Sequence, residues 1–244
     1  DHHPDATSSA GGRRALGPSE YCMRLAPQVV SALTAPGAEG RLWEVDMRLR
    51  PSGNKGPVAV GIAAFERYHR EEAWTWERMA LTRARVIAGP PALRRRVAKA
   101  LAAAMARPAD AALADAAAMR ARMLRDLPPE GPWDVKAMPG GLVEVEFIAQ
   151  ALQVRHGGET PDVLSPTTRD ALARLGAAGL LPEGEAAALI AADRLWREAI
   201  GLIRLTVGRT RDAALPAPAA AALLRAAAPL LDPPPVDLAG LRAQ

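Results

Sequence analysis

The stretch Arg41-Leu-Trp-Glu-Val-Asp-Met-Arg-Leu-Arg-Pro-Ser-Gly53 decides how the rest of the chain is read. Taken as a β-strand, it places Trp43, Val45, Met47 and Leu49 on one face and Glu44, Asp46, Arg48 and Arg50 on the other, because strand side chains alternate with period two. Pro51 and Gly53 then stop the strand and open a loop. The polar face admits two readings. It is a solvated outer face, or it lines a phosphate site in which a carboxylate holds a divalent cation and arginines neutralise phosphate oxygens. The loop Ser52-Gly-Asn-Lys-Gly-Pro57 divides the same way: an ordinary hairpin connection to a partner strand at Val58 to Ile62, or a turn whose amides and Lys55 meet phosphate.

The totals restrict the classes. A chain of 244 residues can form one large or two small domains. It is 49% hydrophobic but only 4% aromatic, with abundant alanine, which favours packed helices over a β-sandwich. The net charge is +4 and the pI about 9.8. Its basic residues are scattered, without interleaved aromatics, so nucleic acid is not the expected partner; a polyphosphate or an acidic protein suits the charge better. Cys22 is the only cysteine, which excludes an internal disulfide and a cysteine-based zinc site. A cytoplasmic location is expected. The opening Asp1-His2-His3-Pro4 lacks the apolar core of a secretory leader, and the His2–His3 pair, with no third ligand, reads as idle. The apolar stretch 213–231 is interrupted by Pro216, Pro218, Arg225 and Pro229 and makes no clean bilayer span.

Around the central stretch the pattern is helical. Leu25, Val29 and Leu33 recur every fourth residue in a helix over 19–35, with Pro27 either kinking it or delaying its start. From Ala63 to Gly89 the reading is helix almost without interruption, with Glu77, Leu81 and Arg85 on one stripe and Trp76, Ala80 and Arg83 on another. On such a helix Glu77 and an arginine form an ordinary ion pair. His69, among charged neighbours, is expected at the surface. Leu93, Val97, Leu101 and Met105 mark a further helix, and Met119, Met123 and Leu127 the apolar line of one over 110–127. After the break at 128–133 come Lys136, the pair Gly140-Gly141, and a helix over 142–153. Adjacent glycines allow a close backbone approach. Glu144 and Glu146 diverge by about 200° on a helix and cannot act as a pair. Glu146, Gln150 and Gln153 do share a face, which predicts a polar contact within a buried surface. Residues 165–168 cap a helix that Gly179 closes, a long helix follows over 186–207, and Arg204 and Arg209 read as surface charge.

Three of these motifs, in this order, resemble glutamine synthetase adenylyltransferases: residues 42–53, residues 74–85 (Trp-Thr-Trp-Glu-Arg-Met-Ala-Leu-Thr-Arg-Ala-Arg), and Lys136 with 140–150. The resemblance spans nearly the whole chain and is nearest the adenylylating, C-terminal half of that family. It implies an α+β, mostly α fold: the C-terminal part of a polymerase-β-like nucleotidyltransferase domain over residues 1–108, then an α-helical bundle over 109–244. It implies AMP transfer from ATP to a tyrosine of glutamine synthetase, with magnesium as cofactor and glutamine synthetase, and potentially the PII signal protein, as partners. Asp46 matches the family's third metal-binding carboxylate, and Glu44 is the other acid on its face. Arg48, Arg50 and Lys55 would face ATP phosphates. Arg83, Arg85 and Lys136 fall at nucleotide-binding motif positions, and Glu77, Gly140, Gly141, Glu146 and Gln150 at site-lining ones. The family's first two carboxylates, in a Gly-Ser…Asp-Leu-Asp motif, have no counterpart here, which implies a fragment that is inactive alone. Two rival readings follow from the same residues: a uridylyltransferase or deadenylylating half, and a non-catalytic helical docking module for glutamine synthetase or PII.

Overall fold

The computed structural model describes residues 6–41, 43–208 and 215–243. His2, His3, Leu42 and Arg209 lie outside them. Among the described residues the regular structure is helical: α1 (Pro18–Thr34), α2 (Ile62–Glu71), α3 (Thr75–Leu81), α4 (Pro91–Met105), α5 (Ala112–Asp126), α6 (Leu142–His156), α7 (Thr168–Ala177), α8 (Glu183–Thr206), α9 (Ala217–Ala227) and α10 (Leu238–Ala243), with short 3-10 turns at Gly53–Lys55 and Pro161–Val163.

This overturns the α+β expectation and its polymerase-β-like sheet. Among the described residues there is no strand, and the β-type pairing is an isolated bridge between Gly37 and Gly40. Alternation sorts side chains, but a strand exists only where a neighbour takes its N–H and C=O groups. The stretch 43–50 finds no such ladder. The expected partner at Val58 to Ile62 instead runs through bends into Gly61, which precedes α2. What survives of the alternation is local: Asp46 and Arg48, two apart on an extended chain, share a side and bond each other.

The chain divides into two compact units, one of residues 1–80 and 86–107 and the other of 81–85 and 108–244. In the first, α2 packs on α4. Ile62, Met79, Ala100, Ala104 and Met105 are buried there. The predicted stripe on α1 forms, but Leu25, Val29 and Leu33 are each more than 40% exposed and α1 buries no residue. The long helix expected over 63–89 is broken twice. Residues 72–74 separate α2 from α3, and the chain leaves helix after Leu81, so Arg85 is not on the Glu77 stripe.

Two arginines do much of the joining in this unit. Arg78, 3% exposed, donates Nε to the Ala104 carbonyl at 3.0 Å and Nη2 to the Arg107 carbonyl at 2.6 Å, at the C-terminal end of α4. Arg107 in turn donates Nη1 to the His69 carbonyl at 2.7 Å and the Ala73 carbonyl at 3.5 Å, beyond the end of α2. Helix C-termini leave carbonyls without intrahelical partners and carry partial negative charge, so a guanidinium fork satisfies both needs.

His69, expected at the surface, is buried. Its ring lies 4.3 Å from that of Phe65 and edge-on to Tyr68, and its Nδ1 has no hydrogen-bond partner. Burial pushes its pKa below the ordinary 6.5, with Glu77 opposing and Arg107 reinforcing the shift. The folded state therefore binds this proton less readily than the unfolded chain. The contribution is full above pH 6.5 and declines as the pH falls below it. Hydrogen exchange over residues 62–105 is expected to show protection falling on acidification through this window in the parent chain and a flatter profile in His69→Phe. Equal slopes in the two would remove His69 as the cause.

The second unit is a helical bundle with two apolar clusters. Val145, Ala149 and Leu152 of α6 meet Leu172 and Leu175 of α7 and Ala186 of α8. Trp133 and Val135 meet Leu195, Ala199 and Ile203 of α8, with Leu223 and Ala227 of α9 and Leu241 of α10. Helix α6 is buried on nearly every side, as a helix without a single polar face must be. Helix α7 ends as predicted at Gly179, in the left-handed region at φ 69°. Leu180 N–H donates to the Leu175 carbonyl and Gly179 N–H to the Gly176 carbonyl, the paired bonds of a Schellman motif. On α5 the buried line is Ala112, Ala116 and Arg120, whereas Leu127 is 71% exposed. The expected Met119–Met123–Leu127 line is therefore displaced by one of two alanines and an arginine, and α5 packs on α6. No helix among the described residues is long and apolar enough to cross a membrane.

Candidate functional site

In the first unit, the stretch after α1 curls around an open hollow of about 400 Å³ lined by Glu44, Asp46, Arg48, Arg50 and Asn54 together with backbone-adjacent Val45 and Met47. Four residues that the sequence assigns to a phosphate site thus stand around one space. The carboxylate of Asp46 accepts from Arg48 Nη2 at 2.6 Å and from Arg48 Nε and N at 2.9–3.0 Å. These hydrogen bonds hold its pKa down at about 2, so it is ionised at any ordinary pH. Arg50 spends its guanidinium on the chain itself, donating Nε to the Gly56 carbonyl at 3.2 Å and Nη1 to the Met47 carbonyl. It clasps the turn. Lys55 is exposed at the end of the 3-10 turn. Gly56 is compelled by space, since a Cβ there would come within 2.2 Å of the Pro51 carbonyl oxygen.

Glu77 lies in the same unit but outside the hollow's lining, and it is buried. Tyr68 Oη donates to its Oε1 at 2.7 Å, and the Trp74 N–H donates to its Oε2 at 2.9 Å. This is the return half of a capping box, a third-position glutamate serving the residue before the helix. Burial and the bond to Glu77 raise the Tyr68 pKa. The expected pairing of Glu77 with Arg83 or Arg85 does not form; one of its oxygens serves Tyr68 of α2 and the other the N–H that precedes α3.

The remaining candidates belong to the second unit. Glu146 on α6 is only 15% exposed in its side chain, and its Oε1 accepts from two guanidiniums, Arg83 Nη1 at 2.8 Å and Arg197 Nη2 at 2.9 Å. Arg197 also donates Nε to both oxygens of Asp193, at 2.9 and 3.0 Å, and Arg169 Nε stands 3.4 Å from the same carboxylate. Asp193 is 1% exposed, a burial that an unpaired carboxylate could not sustain. The predicted polar line on α6 is completed by buried Gln150 and by Gln153, whose Oε1 accepts the Ser165 N–H at 2.7 Å. Arg85 is exposed. Asp193, Arg197 and Arg169 were missed by the sequence reading. The i,i+4 spacing of Asp193 and Arg197 was the available signal.

Gly140 and Gly141 carry a backbone cap. The first N–H groups of α6, on Leu142 and Val143, donate to the carbonyls of Val135 and Lys136 at 3.0 and 3.1 Å. Arg120 staples the same turn, donating Nη2 to the Ala137 and Met138 carbonyls and Nε to Glu144, which also accepts the Gly140 N–H. The close approach that the glycines permit is thus made by the chain's own carbonyls. Trp196 Nε1 donates to the Gly140 carbonyl at 3.0 Å. Lys136 itself is exposed beside Arg204 on a cleft of about 630 Å³ whose apolar lining includes Trp133, Ile200 and Ile203. The residues that the sequence gathers into one site therefore divide between the two units.

For a metal, the described residues hold no cluster of three or more ligating side chains. The hollow offers two exposed carboxylates, Glu44 and Asp46, but both oxygens of Asp46 accept from Arg48, so a magnesium ion that brings its own phosphate and water ligands fits there only where Arg48 turns from Asp46 to phosphate.

Comparison with known proteins places these residues in context. Residues 2–100 match the family described as glutamate-ammonia ligase adenylyltransferase, and residues 115–227 match the one described as GlnD PII-uridylyltransferase. Relatives named bifunctional glutamine synthetase adenylyltransferase/adenylyl-removing enzyme include one from Rhodopseudomonas palustris, 42% identical over 85% of this chain and 21% of its own length. One from Caulobacter vibrioides is 46% identical over 84% of this chain and 21% of its own. One from Mesorhizobium japonicum is 51% identical over 62% and 15%. The chain spans about a fifth of the length of the first of these relatives. With its three motifs in order and identities above 40% across most of its length, the chain belongs to the glutamine synthetase adenylyltransferase family.

Proposed function

We propose that the chain is part of a nucleotidyltransferase that moves AMP from ATP to a tyrosine of glutamine synthetase. The observation that carries this reading is the hollow of the first unit, where Glu44, Asp46, Arg48 and Arg50 converge in a chain over 40% identical to named adenylyltransferases. In this reaction the tyrosine oxygen attacks the α-phosphorus, its bond to phosphorus forms as the bond to pyrophosphate breaks, and the phenolic proton passes to solvent or base. Such transfers depend on positioning and charge stabilisation more than on covalent help. Asp46 and Glu44 would hold a magnesium ion, which when bound neutralises phosphate charge. Arg48 and Lys55 supply exposed cations for phosphate oxygens, and Arg50 holds the turn that presents them. Within the second unit, Arg83 and Lys136 are exposed cations offered for phosphate binding. The working location is the cytoplasm, with PII as a further partner.

Magnesium-dependent ATP binding, measured by calorimetry on this chain and on Asp46→Ala, tests the reading. Binding is expected in the parent, and loss of the magnesium dependence in the variant. Binding that ignores Asp46 would move the site elsewhere. A second reading is favoured by the absence of any strand among the described residues and by the engagement of Asp46 with Arg48: a helical docking module for glutamine synthetase or PII. It predicts partner binding without magnesium-dependent ATP binding.

A further inference from the structure

Arg83 sits in a turn, past the end of α3, where no helix fixes its side chain. What fixes it is Glu146, which accepts its Nη1 at 2.8 Å. Glu146 is itself shared, because the same oxygen accepts Arg197 Nη2. Arg197 is held at a second edge by both oxygens of Asp193, one turn earlier on α8, and Asp193 is sealed in the bundle with Arg169 beside it. The order of dependence runs from the interior outward. Asp193, 1% exposed, takes two hydrogen bonds from its guanidinium partner, that guanidinium can point only one way while both its edges are bonded, and Glu146 is thereby aimed at Arg83. A fork held at two edges is a rigid support in a way that a lysine ammonium is not. Among the described residues Arg83 engages Glu146 through Nη1 alone, and its side chain is 45% exposed, so the rest of its fork is open to an anion.

We infer that Arg197 and Asp193 are positioning residues for Arg83, acting through Glu146. The functional consequence, that they tune the grip of Arg83 on a phosphate group, rests on the reading of Arg83 as a phosphate-binding cation given above. Neither residue touches the nucleotide.

Two measurements on the 244-residue chain separate the inference from that reading. The first is nitrogen-15 NMR of the Arg83 guanidinium. Slow, hindered rotation of its Nη groups is expected in the parent and fast rotation in Asp193→Asn and Arg197→Gln, with both variants retaining the parent's helical circular dichroism. Unchanged Arg83 dynamics in both variants would overturn the inference, whatever ATP does. The second is calorimetric ATP affinity in a double-mutant cycle. Arg83→Ala is expected to weaken binding about tenfold, the effect of losing one charge-assisted bond to phosphate. Arg197→Gln is expected to weaken it by a similar or smaller factor, Arg197→Lys to fail as a rescue, and the double variant to be no worse than Arg83→Ala. Multiplying effects would mean that Arg197 acts by another route and would overturn the inference. No ATP binding, or no effect of Arg83→Ala, would instead overturn the nucleotide role and leave the NMR result to judge the positioning.

Discussion

Replacing Arg78 with alanine is expected to destabilise the first unit by about 3 kcal/mol, because it strips charge-assisted hydrogen bonds from one buried and one part-buried carbonyl. The guanidinium serves the carbonyls of Ala104 and Arg107, where α4 ends, from a side chain that is almost wholly enclosed. Burial, helped by the nearby charge of Arg107, pushes the Arg78 pKa down. The group nevertheless stays charged, since an arginine retains its proton at any working pH. Two of its bonds run to a helix end whose partial negative charge favours a cation. Arg78→Met keeps the apolar stem and isolates the polar loss, so it should recover only a fraction. Arg78→Lys cannot span both carbonyls and should fall in between. Hydrogen exchange localises the effect: protection over α4 should drop while α6, α7 and α8 keep theirs. Parent-like protection of α4 in Arg78→Ala would show that the fork is dispensable.

The same arginine shows what the sequence could and could not reveal. Periodicity located helices well where apolar residues recur every fourth position and a breaker follows. The line from Leu93 to Met105 became α4, and Gly179 closed α7. It failed at 41–62, because alternation reports only which side chains share a face. Whether a strand forms is decided by another segment's backbone, and no described residue provides it. Continuous helix over 63–89 was over-read for a related reason. Glu77 looked like one member of a surface ion pair, whereas its two oxygens are spent on Tyr68 and on the backbone of Trp74, opening a new helix in mid-pattern. The acids and arginines of the hollow were legible as a group because they lie within a few residues of one another. The Arg83–Glu146–Arg197–Asp193 network was not, since its members come from distant stretches and only the Asp193–Arg197 step is local in sequence.

Gly141→Ala should be among the most damaging single-methyl changes in the second unit, at about 3 kcal/mol. The backbone at Gly141 is extended, with φ −79° and ψ −176°, a conformation open to any residue, so no torsional argument applies. The obstacle is space. A Cβ there would lie 2.6 Å from the Val135 carbonyl oxygen, 2.8 Å from that of Met138 and 3.2 Å from that of Lys136. These are backbone atoms, and they are where they are for a reason: Val135 and Lys136 accept the first N–H groups of α6, and Met138 accepts from Gly141 itself. Relieving the clash means withdrawing the carbonyls that cap the helix, in a turn that Arg120 also grips through Ala137 and Met138. The variant should therefore lose protection over the first turn of α6 and loosen Trp196, whose indole N–H bonds the Gly140 carbonyl. Gly184→Ala is the matched control. A Cβ there meets nothing within 4 Å, and within α8 the added methyl should be neutral or stabilising by up to about 1 kcal/mol. Similar melting temperatures for the two variants would mean that the turn can yield, and that the glycine pair is not what sets α6 in place.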